Sequence, residues 1–272
     1  MGGNKLTITV TGSGTSQGVP VIACSCEVCL SNNPKNKRLR SSIHIQSDFT
    51  SLVIDSGPDF RQQMLNNNIK DLSAILFTHE HKDHIAGLDD VRAFNYILQK
   101  PIDVFCTNRV KKALHREYHY IFDPKFKYPG IPKVNCITIK NDEIFKINDL
   151  KIEPIEAFHY KLPVLGFRIN NFAYVTDANK IEHKEKKKLL RLEVLIINAL
   201  RIEKHISHFN LKEALSLIKE LQPNLIEIKQ LIPNSRIMLV GGSLENLKIL
   251  ANFIPQPKNS NEKSFGTKGL TG

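Results

Sequence analysis

The stretch Thr78-His79-Glu80-His81-Lys82-Asp83-His84 constrains this chain more than any other, because it places three imidazoles and a carboxylate directly after the apolar run Ala74-Ile75-Leu76-Phe77. Side chains this polar and this close together cannot all pack against a core. On a loop that follows a buried strand they point into one cavity. Metal binding is the economical reading, and a histidine-rich polar surface turn is the bland one. The spacing argues against chance.

Composition narrows the class of protein. The chain has 272 residues, 41% apolar and 24% charged, which is enough for one large domain with a sizeable core and excludes a fibrous or disordered class. No apolar run approaches the length of a membrane span, and residues 1–10 lack both a signal-peptide pattern and the hydroxyl residue of a myristoylation signal. The expectation is a cytoplasmic protein with no membrane partner. Lysine and arginine number 38 against 27 acidic residues, and the net charge of +11 favours anionic partners, either phosphate esters or nucleic acid.

Hydrophobic periodicity predicts strands over residues 6–11, 41–46, 51–54, 102–106, 134–139, 144–147, 150–158, 164–169, 172–176, 194–198 and 237–240. Helical patterns cover 60–65, 87–99, 108–118 and 181–190, and another helix opens with the capping box Asn210-Leu211-Lys212-Glu213. A helix-like run follows Pro223, and an apolar segment runs on to Ile254. The reading is one domain over 1–255, followed by a disordered tail over 256–272 that is rich in Pro, Asn, Ser, Gly and Lys.

Several side chains carry candidate chemistry. His159 and Asp177 fall at strand ends, where sites are built. Asp55, also at a strand end, is suited either to hold a ligand imidazole or to cap a turn. The loop over 200–208, with His205 and His208, faces the same cavity. Cys24, Cys26 and Cys29 can converge on a structural zinc if a fourth ligand arrives from elsewhere, and are otherwise reduced thiols in a surface loop. Cys106 and Cys136 lie in strand-like runs as inert core residues, and no disulfide framework is expected. His44 reads as structural, and His115 and His119 as surface residues. The glycine-rich loop over 12–20 is a tight turn or a loose phosphate cradle, and Lys35, Lys37, Arg38 and Arg40 form a solvated or phosphate-attracting run.

His79-x-His81-x-Asp83-His84, with His159 and Asp177 downstream, resembles the metallo-β-lactamase superfamily. That resemblance implies a mixed α/β (α+β) fold, a four-layered αβ/βα sandwich. The glycine-rich loop, the cysteine cluster, Asp55-Ser56-Gly57-Pro58-Asp59-Phe60-Arg61 and Ala86-Gly87-Leu88-Asp89-Asp90 resemble its phosphoribosyl cyclic phosphate phosphodiesterase branch, over roughly residues 6–223. By this resemblance His79, His81 and His159 hold a first metal, Asp83 and His84 hold a second, and Asp177 bridges them. The cofactors implied are two divalent ions, zinc or manganese, with a further zinc at the cysteines. Asp83 and His208 are the implied catalytic residues, His208 through protonation and with His205 as its nearest rival. The implied activity is hydrolysis of a small cyclic phosphate or nucleotide-like ester. An RNA-processing nuclease and a catalytically impaired metal- or phosphate-ligand-binding relative are the alternatives, and a homodimer is left open.

The chain departs from that pattern after Pro223. Where relatives carry Thr-His-Ile-Ser-His it runs Asn224-Leu225-Ile226-Glu227, and no histidine occurs after His208. By the resemblance, one ligand of the second metal and the fourth ligand of the cysteine site have no counterpart. The segment Ile237-Met238-Leu239-Val240-Gly241-Gly242 resembles the family's closing strand without its usual aspartate.

Overall fold

Alternating apolar residues build two sheets that face one another across a shared core. The computed structural model describes residues 6–126, 128–221, 225–229 and 239–241. The first sheet is formed by β1 (Thr7–Gly12), β2 (Ser42–Gln46), β3 (Ser51–Ile54), β4 (Ala74–Leu76), β5 (Ile102–Cys106) and β6 (Val134–Thr138), in chain order. β1 to β3 pair antiparallel, and β3 to β6 pair parallel. Parallel neighbours need crossovers, and the helices Phe60–Asn66, Arg92–Leu98 and Asn108–Glu117 lie in them.

The second sheet comprises β7 (Phe145–Ile147), β8 (Leu150–His159), β9 (Leu162–Ile169), β10 (Phe172–Val175), β11 (Lys180–Ile181), β12 (Val194–Asn198), β13 (Leu225–Lys229) and β14 (Leu239–Gly241). Its order is β11-β8-β9-β10-β12-β13-β14, with β7 paired to β8. The two-residue turns Asn148-Asp149 and Asn170-Asn171 join strands in the way their sequence predicts. Asn148 and Asn170 adopt left-handed φ of 48° and 54°, which asparagine tolerates better than most residues.

Period two sorts the strands' side chains into layers. Leu52, Ile54, Leu76 and Phe105 pack against Leu165, Phe167, Tyr174 and Ile196 between the sheets. Val53, Ile75 and Val104 turn outward to Phe60, Phe94 and Leu114 on the first helical layer. Leu195 and Ile197 turn outward to Ala214, Leu217 and Ile218 of the helix Leu211–Leu221. The product is the expected αβ/βα sandwich. The largest side chains between the sheets, Tyr174 and Phe167, are fully buried, each removing apolar area worth roughly 1.5–3 kcal/mol for a side chain of this class.

The structure revises three expected elements. The helix over 87–99 is a 3₁₀ turn, Leu88–Val91, running into the α-helix Arg92–Leu98, and its start is tied down by a bond from Gly87 N–H to Ser56 O at 2.8 Å. The basic helix over 181–190 is instead the end of β11, one α-turn at His183–Lys186 and a 3₁₀ turn at Lys187–Leu189. Lys184, Lys186, Lys187 and Lys188 repel along a continuous helix, whereas the broken form buries Glu185 against Glu156 N–H (2.9 Å) and Lys188 (2.8 Å). The helix-like run after Pro223 is β13, which pairs parallel with β12 in the register Asn198↔Lys229. β13 lies between β12 and β14, and pairing with both is a tertiary preference that overrides local pattern. β14 covers part of the expected 237–240 strand, while the apolar segment to Ile254 and the 256–272 tail lie outside the described residues. Among the described residues no helix is long and apolar enough to cross a membrane.

Candidate metal centre

The ends of β3, β4, β8 and β10 deliver the polar side chains to one edge of the sandwich. Asp55, just past β3, is wholly buried and held at a left-handed φ of 64°. Its carboxylate accepts from Thr78 N–H (2.9 Å) and Thr78 Oγ1 (2.8 Å) at the start of the histidine-rich loop, and from His84 Nδ1 (2.7 Å) at its end. One side chain thus closes the loop over residues 78–84. Gly57 lets the neighbouring turn press on that loop, since a Cβ there would lie 2.0 Å from Asp83 O.

The imidazoles are aimed from behind. His79 Nδ1 lies 3.0 Å from Thr78 Oγ1, and His159 Nδ1 donates to Ser207 O at 2.9 Å. With Nδ1 so engaged in His79, His84 and His159, Nε2 of each ring is left to face other candidate ligands, the arrangement by which outer partners orient metal-binding histidines. His79 Nε2 and His81 Nδ1 stand 3.0 Å apart, and His84 Nε2 is 3.2 Å from Asp83 Oδ2 and 3.3 Å from Asp177 Oδ2. Asp177, at a φ of 53°, also accepts from Thr176 Oγ1 at 2.8 Å.

Electrostatics follow from burial and crowding. Burial, reinforced by His84, holds His79 well below the ordinary histidine range, so its ring is neutral. Burial pulls His84 the same way, but Asp55, Asp177 and Asp83 outweigh it and raise its pKa well above the usual value. Burial opposes ionisation of Asp177 and Asp83, yet the adjacent His84 keeps both carboxyls below the usual range. Burial lowers His208 to about 4. The carboxylates of Asp83 and Asp177 beside His84, with the neighbouring imidazoles, form a donor set that fits a cationic metal. Ligand atoms of His79, His84 and Asp177 lie within 4.8 Å of one another, as do those of His159, Asp177 and His208, so Asp177 belongs to both groups.

Every residue singled out for the centre therefore arrives at one place: His79, His81, Asp83, His84, His159, Asp177 and His208. His205 stays outside both groups, with its Nδ1 accepting from Ser207 N–H and facing Ser207 Oγ. The thiol sulfurs of Cys24, Cys26 and Cys29 lie within 4.8 Å of one another, and no other candidate ligand joins them among the described residues. Cys106 is buried in β5, 3.7 Å from the sulfur of Cys136. His44 is buried against Ser51 Oγ (2.8 Å), and His115 and His119 are exposed beside Phe122 and Phe126. The glycine-rich loop spends the amides of Gly14, Gly18 and Val19 on Leu39 O, Thr15 O and Arg38 O, as a structural turn does, and Arg40 of the basic run is paired with Asp59 at 2.9 Å.

Two supports escaped sequence reasoning. Asn198, at the end of β12, clasps both the N–H and the C=O of Ala178 at 3.0 Å and so fixes the residue after Asp177. Ser207 acts through its carbonyl, which no side-chain pattern can announce.

Residues 50–231 match the family model described as the beta-lactamase superfamily domain. The chain belongs to the metallo-β-lactamase superfamily. Superfamily membership and the clustered histidines and aspartates make it a divalent-metal protein of a generally hydrolytic family. A diphosphatase of the PhnP family, known from its crystal structure, is 33% identical, superposes with a TM-score of 0.78 and shares 85% of this chain and 89% of its own. An octanoyltransferase of Porphyromonas gingivalis (strain ATCC BAA-308 / W83) is 39% identical over 212 residues, which is 77% of this chain and 42% of that protein. This chain thus spans less than half the length of that relative. Human tRNase Z, short form, shares the fold alone, at 14% identity and a TM-score of 0.61 over 87% of this chain and 99% of its own.

Proposed function

We propose that the protein is a metal-dependent phosphodiesterase acting on a small anionic ester, a cyclic phosphate or a nucleotide-like compound. The observation that carries this reading is the convergence of His79, His81, Asp83, His84, His159 and Asp177, with Asp177 common to two groups of ligand atoms. The likeness to the PhnP-family diphosphatase and the charge of +11 support a phosphate-bearing substrate. Divalent ions held by these residues, zinc or manganese, would supply Lewis-acid polarisation of the phosphoryl oxygens and activation of water. Asp83, half-buried beside His84, would accept the proton of the attacking water. Asp55 and Thr78 hold the loop, Ser207 holds His159, and Asn198 holds the turn after Asp177. Cys24, Cys26 and Cys29 would supply three of the four ligands of a structural zinc.

The test is turnover of cyclic and linear phosphodiesters by the purified protein supplied with zinc or manganese, with His79→Ala as control. Turnover that is lost in the control is the expected result. A folded, metal-loaded protein inert across the panel would refute the phosphodiesterase reading and favour an impaired, ligand-binding relative. The charge of +11 also favours a second reading, an RNA-processing nuclease. Binding of tRNA that weakens steeply with salt, accompanied by cleavage, would decide for that reading.

A further inference from the structure

His208 is left without a defined partner by the ligand set just described. We propose that His208 is itself a metal ligand, grouped with His159 and Asp177, rather than the proton donor that family resemblance implies. The inference rests on the reading of this edge as a metal centre.

The first observation is proximity. One ligand atom each from His159, Asp177 and His208 lies within 4.8 Å of the others, and the His159 and His208 rings sit 4.6 Å apart at 73°. The second is an unmet need. His208 Nδ1 is buried and has no hydrogen-bond partner among the described residues. Burying a polar atom without a partner costs about 1–3 kcal/mol, which a fold tolerates where the ring serves a bound group.

The third observation is how firmly the residue is placed. On one side Ser207 O accepts from His159 Nδ1 at 2.9 Å. On the other, Phe209 N–H donates to Ala178 O at 2.7 Å, and Leu200 N–H donates to Phe209 O at 2.9 Å. Asn198 in turn clasps Ala178. His208 is therefore bracketed by the bonds of its two neighbours, Ser207 to the His159 ring and Phe209 to the residue after Asp177. Such fixed placement is what a ligand requires. His205 lacks it, being tied to Ser207 and outside the group.

The experiment uses the full chain carrying Cys24→Ser, so that the thiol cluster is weakened as a second source of metal. The metal-free protein is titrated with Co(II) and Zn(II) against a chromophoric chelator, and stoichiometry, affinity and the visible Co(II) spectrum are read without any substrate. Loss of an outer partner alone weakens binding about 10–100-fold, so His208→Ala is expected to weaken one equivalent by at least about 100-fold and to alter the Co(II) spectrum. His205→Ala should change neither. His208→Asp, whose carboxylate can ligate, should retain what His208→Asn loses; this pair serves if the alanine variant does not fold. Unchanged affinity and spectrum in folded His208→Ala, or equal behaviour of the Asp and Asn variants, would overturn the assignment, even if turnover fell. Failure of the parent protein to hydrolyse any phosphodiester, with metal binding still dependent on His208, would remove the functional reading and leave the ligand standing.

Discussion

Asp55 shows how much of a metal site is settled by residues that never touch the metal. Its buried carboxylate takes two bonds from Thr78 and one from His84, and so sets both the path of the loop and the direction of the His84 ring. Asp55→Asn keeps the shape but offers an amide in place of one carboxylate oxygen, so one of these donors loses its acceptor. The expected outcome is a fall in metal affinity of roughly 10–100-fold with the fold intact, measured by chelator competition and circular dichroism. Unaltered affinity would mean that His84 is oriented by Asp83 and Asp177 instead. At this scale the sequence located the candidate side chains that sit close together or at strand ends, as with His79, His81, Asp83, His84, His159 and Asp177. It offered Asp55 either to an imidazole or to a turn without naming His84, and it was silent where a bond uses a backbone atom, as with His159 to Ser207 O.

Individual elements were legible wherever their instructions were local. The capping box is the clearest case: Glu213 N–H donates to Asn210 Oδ1 at 2.8 Å, and Asn210 N–H donates to Glu213 Oε2 at 3.0 Å. Asn210→Ala should therefore cost about 1 kcal/mol, within a range of roughly 0.5–2, read from the denaturation midpoint. A change of only a few tenths would show that packing of Leu217 and Ile218 alone holds this helix. Elements that depend on a distant partner were not legible. β13 becomes a strand because β12 offers a parallel edge, and residues 183–189 break because Glu185 finds Glu156 and Lys188. The cysteine loop belongs to this scale as well. Cys24→Ser should lower zinc content and melting temperature while leaving turnover nearly unchanged, because the thiols cluster apart from the histidines. Loss of activity without loss of zinc would contradict a structural role.

At the scale of the whole molecule, the centre lies where the two sheets meet. His79, His81, Asp83 and His84 follow β4 of the first sheet, whereas His159 and Asp177 come from β8 and the end of β10 in the second. An ion bound there would join the two halves of the sandwich, whose shared core holds Phe167 and Tyr174. Anything that binds only the native state stabilises it, by roughly 4 kcal/mol at a free concentration a thousand times Kd. For a domain of this size that corresponds to a Tm shift on the order of 10 °C. Chelation should lower the Tm of the parent protein by about that amount. Asp177→Ala removes the carboxylate common to both ligand groups, so it should melt near the chelated parent and respond little to chelator. An Asp177→Ala protein that binds metal as before, or that chelation still destabilises by the full amount, would place the stabilising ion elsewhere, with the thiols of Cys24, Cys26 and Cys29 the next site to examine.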